Sequence, residues 1–108
     1  NLKIVVINFT ILKILVKMLD LDVFTASWCG MCTAFKKQLN NNPPNCNVYI
    51  KSCDDDDIFN EADKWSIKSL PTSILFNDKH EEITRFIGIV STKVINDKIK
   101  EYESKCMV

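Results

Sequence analysis

Apolar residues recur along the chain with two different periods, and each change of period marks a change of element. Leu2 to Ile7 is a short β-branched run of the kind that makes a strand covered on both faces. Behind it Ile11, Leu12, Leu15, Val16 and Leu19 return at helical spacing, with Lys13 and Lys17 on another face, so a helix is expected there. Leu21 to Ala26 reads as a second strand, and from Gly30 to Asn40 a helix puts Cys32, Phe35 and Leu39 on one side and Lys36 and Lys37 on another. Asparagines and paired prolines in "NNNPPN", Asn40 to Asn45, end that helix.

The second half continues in the same way. Asn47 to Cys53 reads as a strand, and the acids Asp54 to Asp57 sit where a helix N-terminus favours negative charge. The helix they introduce is expected to bury Ile58, Phe59, Ala62 and Trp65. Strands Ser73 to Phe76 and Glu82 to Ile87 flank "NDKH", a hairpin turn that leaves His80 in solvent. A last helix, capped by Ser91 or Thr92, would bury Val94, Ile95, Ile99 and Tyr102. The order β-α-β-α-β-α-β-β-α describes an α/β protein without repeats, and 108 residues bury one core, so residues 1–108 are expected to form a single domain.

Composition removes several functions. Fourteen basic and fourteen acidic residues cancel, so no net field draws in nucleic acid or an anionic membrane. The apolar start is broken by Lys3, Asn8, Lys13 and Lys17 and has no uncharged run near the ~18 residues of a membrane span. It is read as folded structure, not as a leader or anchor. Five cysteines are an odd number, and Cys46, Cys53 and Cys106 have no regular spacing, which points to a reducing, cytoplasmic setting. Cys53, at a strand end, reads as a small buried hydrophobe, whereas Cys46 and Cys106 read as exposed and oxidisable.

The remaining pair, Cys29 and Cys32 in "VFTASWCGMCTAF", carries the chemistry. A catalytic dithiol needs one sulfur that ionises near neutral pH and a second close enough to expel the product, and Cys-x-x-Cys at a strand-to-helix turn supplies both. Zinc would need two more ligands at fixed spacing, and Cys46, Cys53 and His80 do not form such a unit, so neither a metal nor a bound cofactor is expected. A purely structural disulfide in so small a ring would constrain the unfolded chain very little.

"WCGMC" after a strand, then "SLPTSILF", then "FIG", resembles the thioredoxin family over most of the chain, from Leu21 to Gly88. The resemblance implies a thioredoxin-like fold, with a central mixed sheet of about five strands flanked by about four helices. It implies a protein disulfide oxidoreductase in which Cys29 is the nucleophile, Cys32 the resolving thiol and Trp28 the flanking aromatic. Pro71 matches the family's cis-proline, with Leu70 as the ledge against which an extended substrate pairs. Gly88 matches a glycine that lets the substrate approach, and Gly30 keeps the motif's first intervening position. The implied partners are protein disulfides or dithiols and a thioredoxin-reductase-type electron donor, with the chain acting as a monomer. Net oxidation or isomerisation of disulfides is the alternative within enzymes. A redox-inactive binding module docking through Trp28, Leu70 and Ile89 is the alternative outside them.

Three positions depart from the family's pattern. Met31 replaces a proline, Val23 replaces a buried aspartate that helps deprotonate the resolving cysteine, and Lys37 replaces a helix-kinking proline. Asp22, one place from Val23, belongs to the other face of a strand, and Lys51 is the candidate lysine beside a buried acid. Met31, unlike proline, has an N–H, and this N–H is expected to reach the Cys29 sulfur.

Overall fold

The computed structural model describes residues 19–106. The strand expected at Leu2 to Ile7 and the helix expected behind it lie outside the described residues, except for Leu19, which is buried beside the first strand. The described elements are β1 (Asp20–Thr25), α1 (Gly30–Asn41), β2 (Asn47–Ser52), α2 (Asp56–Lys64), β3 (Thr72–Phe76), β4 (Glu82–Ile87) and α3 (Thr92–Cys106). They form a mixed four-stranded sheet in the order β2-β1-β3-β4. β1 pairs in parallel with β2 and antiparallel with β3, and β4 returns antiparallel to β3. The parallel pair requires a crossover, which α1 provides. The antiparallel pair needs only a tight turn, in which Asn77 Oδ1 accepts hydrogen bonds from the backbone N–H groups of Lys79 (3.0 Å) and Glu81 (2.9 Å).

β1 and β3 are the central strands, and strand alternation sends their side chains into two separate cores. Leu21, Val23 and Leu75 pack with Phe35 and Leu39 of α1 and with Ile95 and Ile99 of α3. Phe24, Ile74 and Phe76 pack on the other face with Ala62 of α2, flanked by Ile58 and Trp65. Two helical stripes differ from their expected membership. Ile58, Ala62 and Trp65, spaced i, i+4, i+7, face the sheet, which turns Phe59 out to 60% exposure. In α3 the stripe is Ile95, Ile99 and Tyr102, and Val94, one residue off it, is 42% exposed.

The caps follow the polar residues. Asp55, the second of the four aspartates, caps α2 by accepting from Asp57 N (2.8 Å) and Ile58 N (3.4 Å), with Asp56 and Asp57 in the first turn. Ser91 Oγ accepts from Val94 N at 3.2 Å, so Ser91 is the cap of α3. Thr92 instead donates its hydroxyl to the carbonyl of Asn42, tying α3 to the end of α1.

One charge group is enclosed on the α2 face. Asp22, buried on β1, meets Lys51 Nζ of β2 at 3.2 Å, and the same ammonium reaches Glu61 of α2 at 2.6 Å while lying 5.9 Å from the Phe24 ring centroid. Burial raises the Asp22 carboxyl above the usual carboxylate range, and the hydrogen bond from Lys51 offsets this only in part. Burial also works against the Lys51 charge, but hydrogen bonds to Glu61 and Asp22 outweigh it and raise that pKa. The expected approach of Lys51 to a buried acid is therefore made to Asp22. Lys51→Met keeps the stem and deletes the charge, leaving the Asp22 carboxylate buried without a counter-charge at a cost of about 1–3 kcal/mol at neutral pH. A carboxyl whose pKa is higher in the folded than in the unfolded chain costs stability as pH rises through that interval, and regains it as pH falls. The deficit of Lys51→Met should therefore shrink between neutral pH and about pH 4.5. Urea unfolding of both proteins at the two pH values measures it, and an equal deficit at both would exclude Asp22 as the source.

Candidate active site

β1 ends at Thr25, and Ala26 and Ser27 lead the chain over the sheet edge to Cys29, whose N–H bonds the Ala26 carbonyl at 3.1 Å. Cys29 is the N-cap of α1, with extended backbone angles (φ −96°, ψ 105°). An N-cap side chain accepts from the second or third N–H of the helix. Here the Cys29 sulfur accepts from Cys32 N at 3.2 Å, not from Met31, so the expected Met31 contact is replaced by one from the next residue. Cys29 and Cys32 are joined as a disulfide, with Cα atoms 5.2 Å apart. The two sulfurs differ in access, since Cys29 is 8% exposed and Cys32 is not exposed at all.

A second wall comes from the segment before β3. Leu70 packs on Ala26, Cys29 and Cys32, and its carbonyl oxygen lies 3.7 Å from the Cys29 sulfur. The Leu70–Pro71 peptide is cis, and Pro71 is fully buried. Gly88, just past β4, donates its N–H to the Pro71 carbonyl at 2.8 Å. Its φ of +83° lies in the left-handed region, where a side chain would be strained. Gly30 is different, because its φ lies outside that region, although a Cβ at either glycine would meet nothing within 4 Å. Trp28 stands out at 78% exposure, and Met31 is exposed beside the motif.

Two contributors escaped the sequence reading. A groove of about 360 Å³ runs away from the disulfide between Trp28, Leu70, Phe59, Ile67 and Cys53. Phe59 lines it because the helical stripe excludes that ring from the core. Asp54 Oδ1 accepts from Ser27 N at 3.3 Å, so the loop before Trp28 is tied to the start of α2. The hydrogen bonds from Ser27 hold the Asp54 carboxyl below the usual carboxylate range. Composition marks Asp54 to Asp57 equally as N-terminal acids, and only the local turn separates the anchor, Asp54, from the cap, Asp55.

The disulfide has no carboxylate on its own face of β1. Val23 packs with Phe35 under α1, and Asp22 points to the α2 face. There the ligand atoms of Asp22, Glu61 and His80 come within 4.8 Å of one another. The Lys51 ammonium already lies between the two carboxylates, and His80, exposed in its turn, stacks on Phe76 with ring centroids 4.1 Å apart.

With sheet, helices and disulfide in place, the class is that of a thioredoxin fold carrying a redox-capable Cys-x-x-Cys pair. The family model "Thioredoxin" matches residues 6–101, and the chain belongs to the thioredoxin family. It is 29% identical over 80 residues to a thioredoxin of Chlamydia pneumoniae, covering 73% of this chain and 78% of that one. A mutant thioredoxin from Halobacterium salinarum superposes with a TM-score of 0.68 at 22% identity, over 81% of this chain and 76% of the other. A malaria-parasite thioredoxin-2, described as a component of the parasite's protein secretion machinery, gives 0.66 at 25% identity over 78% and 82%. Family membership and the bonded pair together support thiol–disulfide oxidoreductase activity. Among the described residues, no helix is long and apolar enough to cross a membrane.

The three free cysteines are unequal. Cys46, expected to be exposed, is instead half-buried against the α1–α3 core, and burial next to Asp20 pushes its thiol up to about 12. Cys53 is half-buried in the groove, and burial followed by the Asp54 charge raises its thiol also. Cys106 is exposed on the last turn of α3. A thiol moved from 9.0 to about 12 carries roughly a thousandth of the thiolate near neutral pH, and the thiolate is the reactive form. In the oxidised protein, iodoacetamide near pH 8 should modify Cys106 and leave Cys46 untouched until the chain is unfolded. Peptide mass mapping reads this, and equal rates at the two residues would contradict the burial of Cys46.

Proposed function

We propose that this chain is a thioredoxin-type reductant of protein disulfides. The observation that carries the reading is the unequal pair, in which Cys29 sits at the surface end of a helix, bonded to a wholly buried Cys32. In the reduced state the Cys29 thiolate attacks a target disulfide. Its electron pair forms the Cys29–target bond, and the other target sulfur leaves with the pair of the broken bond and takes a proton. Cys32, deprotonated, then attacks Cys29, re-forming the Cys29–Cys32 bond and releasing the second target sulfur. Two electrons pass to the target, and a separate reductase returns them to the pair.

Three features favour this chemistry at Cys29. The Cys32 N–H and the N-terminal end of the helix dipole both favour negative charge on the Cys29 sulfur. Leu70 and Pro71 form the ledge for an extended target, with Gly88 leaving room at its far end and Gly30 and Met31 at its near end. Trp28 and the groove beside it offer an apolar seat for target residues that flank the reacting sulfur. Unpaired Cys46, Cys53 and Cys106 favour a reducing, cytoplasmic setting. The stabilised Cys29 thiolate also favours the dithiol over the disulfide, so net oxidation of targets remains the second reading, and a glutathione titration of the pair separates the two.

Single-turnover reduction of a protein disulfide tests the assignment. Wild type should turn over, and both Cys29→Ser and Cys32→Ser should fall to background. Cys32→Ser should accumulate mixed disulfides through Cys29 on non-reducing gels, whereas Cys29→Ser should accumulate few. Equal capture by the two variants would instead favour a module that binds partners without exchanging disulfides with them.

A further inference from the structure

β3 carries one polar side chain whose hydrogen-bonding capacity is unused among the described residues. Ser73 is wholly buried and its Oγ has no partner. A buried hydroxyl left unpaired costs about 1–3 kcal/mol, so its presence in a strand that continues Ile74-Leu75-Phe76 needs a reason.

The register fixes where Ser73 points. Leu21 and Leu75 are cross-strand partners and both belong to the core under α1. Ser73, two residues from Leu75, faces the same side, as does its own partner Val23. Side chains directly opposed in this way stand roughly 4.5–5.5 Å apart at Cβ. Phe86, in the same core, is its partner on β4. Over this layer α1 lays Cys32, Phe35 and Leu39, and Val23 shares a cluster with Phe35, one turn along from Cys32. Three residues before Ser73, Leu70 packs on the cluster that Cys32 forms with Ala26 and Cys29. The hydroxyl therefore lies in the layer that encloses the buried sulfur, on a wall where Val23 and Phe86 offer no polar atom and from which Asp22 is turned away.

We propose that Ser73 is the hydrogen-bond donor to the Cys32 sulfur in the reduced protein, directly or across one bridging water. The inference rests on the disulfide-exchange reading above. In the disulfide form the hydroxyl has no hydrogen-bond partner among the described residues. Opening the bond frees the Cys32 sulfur to turn and puts an acceptor, charged once Cys32 ionises, into the same layer. In the resolving step the electron pair of the Cys32 thiolate makes the bond to Cys29, and the pair of the Cys29–target bond leaves on the target sulfur. The proton of Cys32 passes to solvent, and Ser73 shares its own proton with the sulfur without giving it up. A donor aimed at the charged form lowers that thiol's pKa and favours the dithiol state.

Ser73→Ala and Ser73→Thr test this, the first deleting the hydroxyl and the second keeping it. Because Oγ has no partner among the described residues of the oxidised protein, Ser73→Ala should unfold at the same or higher urea concentration when oxidised. Its equilibrium with glutathione should move about tenfold toward the Cys29–Cys32 disulfide, which is ~30 mV for a two-electron couple. In a Cys29→Ser background the pH profile of Cys32 alkylation should move up by about one unit in Ser73→Ala, a tenfold loss of thiolate at fixed pH, and return in Ser73→Thr. An unchanged glutathione equilibrium together with an unchanged alkylation profile would overturn the proposal. So would a loss of stability in oxidised Ser73→Ala. Failure of the wild type to form the Cys29–Cys32 disulfide in glutathione would instead defeat the exchange reading itself, which keeps the two failures apart.

Discussion

The chemistry at the disulfide depends on β1 being covered on both faces. A strand buried on one side can rotate its polar residues to solvent, but here each residue from Leu21 to Thr25 is committed to one of two dry layers. Val23 supports the helix that carries Cys32, and Asp22 is held in the opposite layer. The same rigidity delivers Ala26 and Cys29 to one point above the sheet, where Leu70 packs against the cluster they form with Cys32. α1 then starts at the bonded cysteine because a turn off a buried strand leaves the next N–H groups without strand partners, and the Cys29 sulfur takes one of them.

Most of this frame was legible in the order of apolar residues. Apolar runs placed β1, α1, β2, β3 and β4 within a residue or two and indicated the helices behind Asp57 and Ser91, and the turn at Asn77 to His80 followed from its residue types. Membership of each buried stripe was harder to read. Phe59 and Val94 are as apolar as their neighbours, and only the helix phase relative to the sheet decides that they face out. The position of the cysteine pair at a strand-to-helix junction was readable. The donor to the Cys29 sulfur was not, because choosing between the N–H groups of Met31 and Cys32 requires the backbone angles of the cap itself. The roles of Asp54, Ser73 and Cys46 were invisible for a related reason: their environment is made by segments distant in sequence.

Charge is distributed so that, among the described residues of β1 and β3, the face toward α1 carries no ionisable side chain. The enclosed carboxylate of Asp22 and its Lys51 counter-charge sit across the sheet, where α2 and β2 hold them. Close to the disulfide are a backbone N–H, the Leu70 carbonyl and an apolar wall broken by one hydroxyl. A like-charged neighbour would penalise the Cys32 thiolate, and this arrangement places none on that wall. Among the described residues of β1, no carboxylate shares that face with the pair.

The two indole rings report on different parts of the molecule. Trp28 is solvated and adjacent in sequence to Cys29, and disulfides quench nearby indole emission by electron transfer, so its fluorescence should brighten as the pair opens. Trp65 lies edge-on to Phe76 at 4.9 Å and to His80 at 5.7 Å, across the sheet from that event. Its emission follows the packing of α2 on the sheet. One native chain thus carries separate optical reporters of redox state and of folding, distinguishable by which ring responds to reductant and which to the loss of α2 from the sheet.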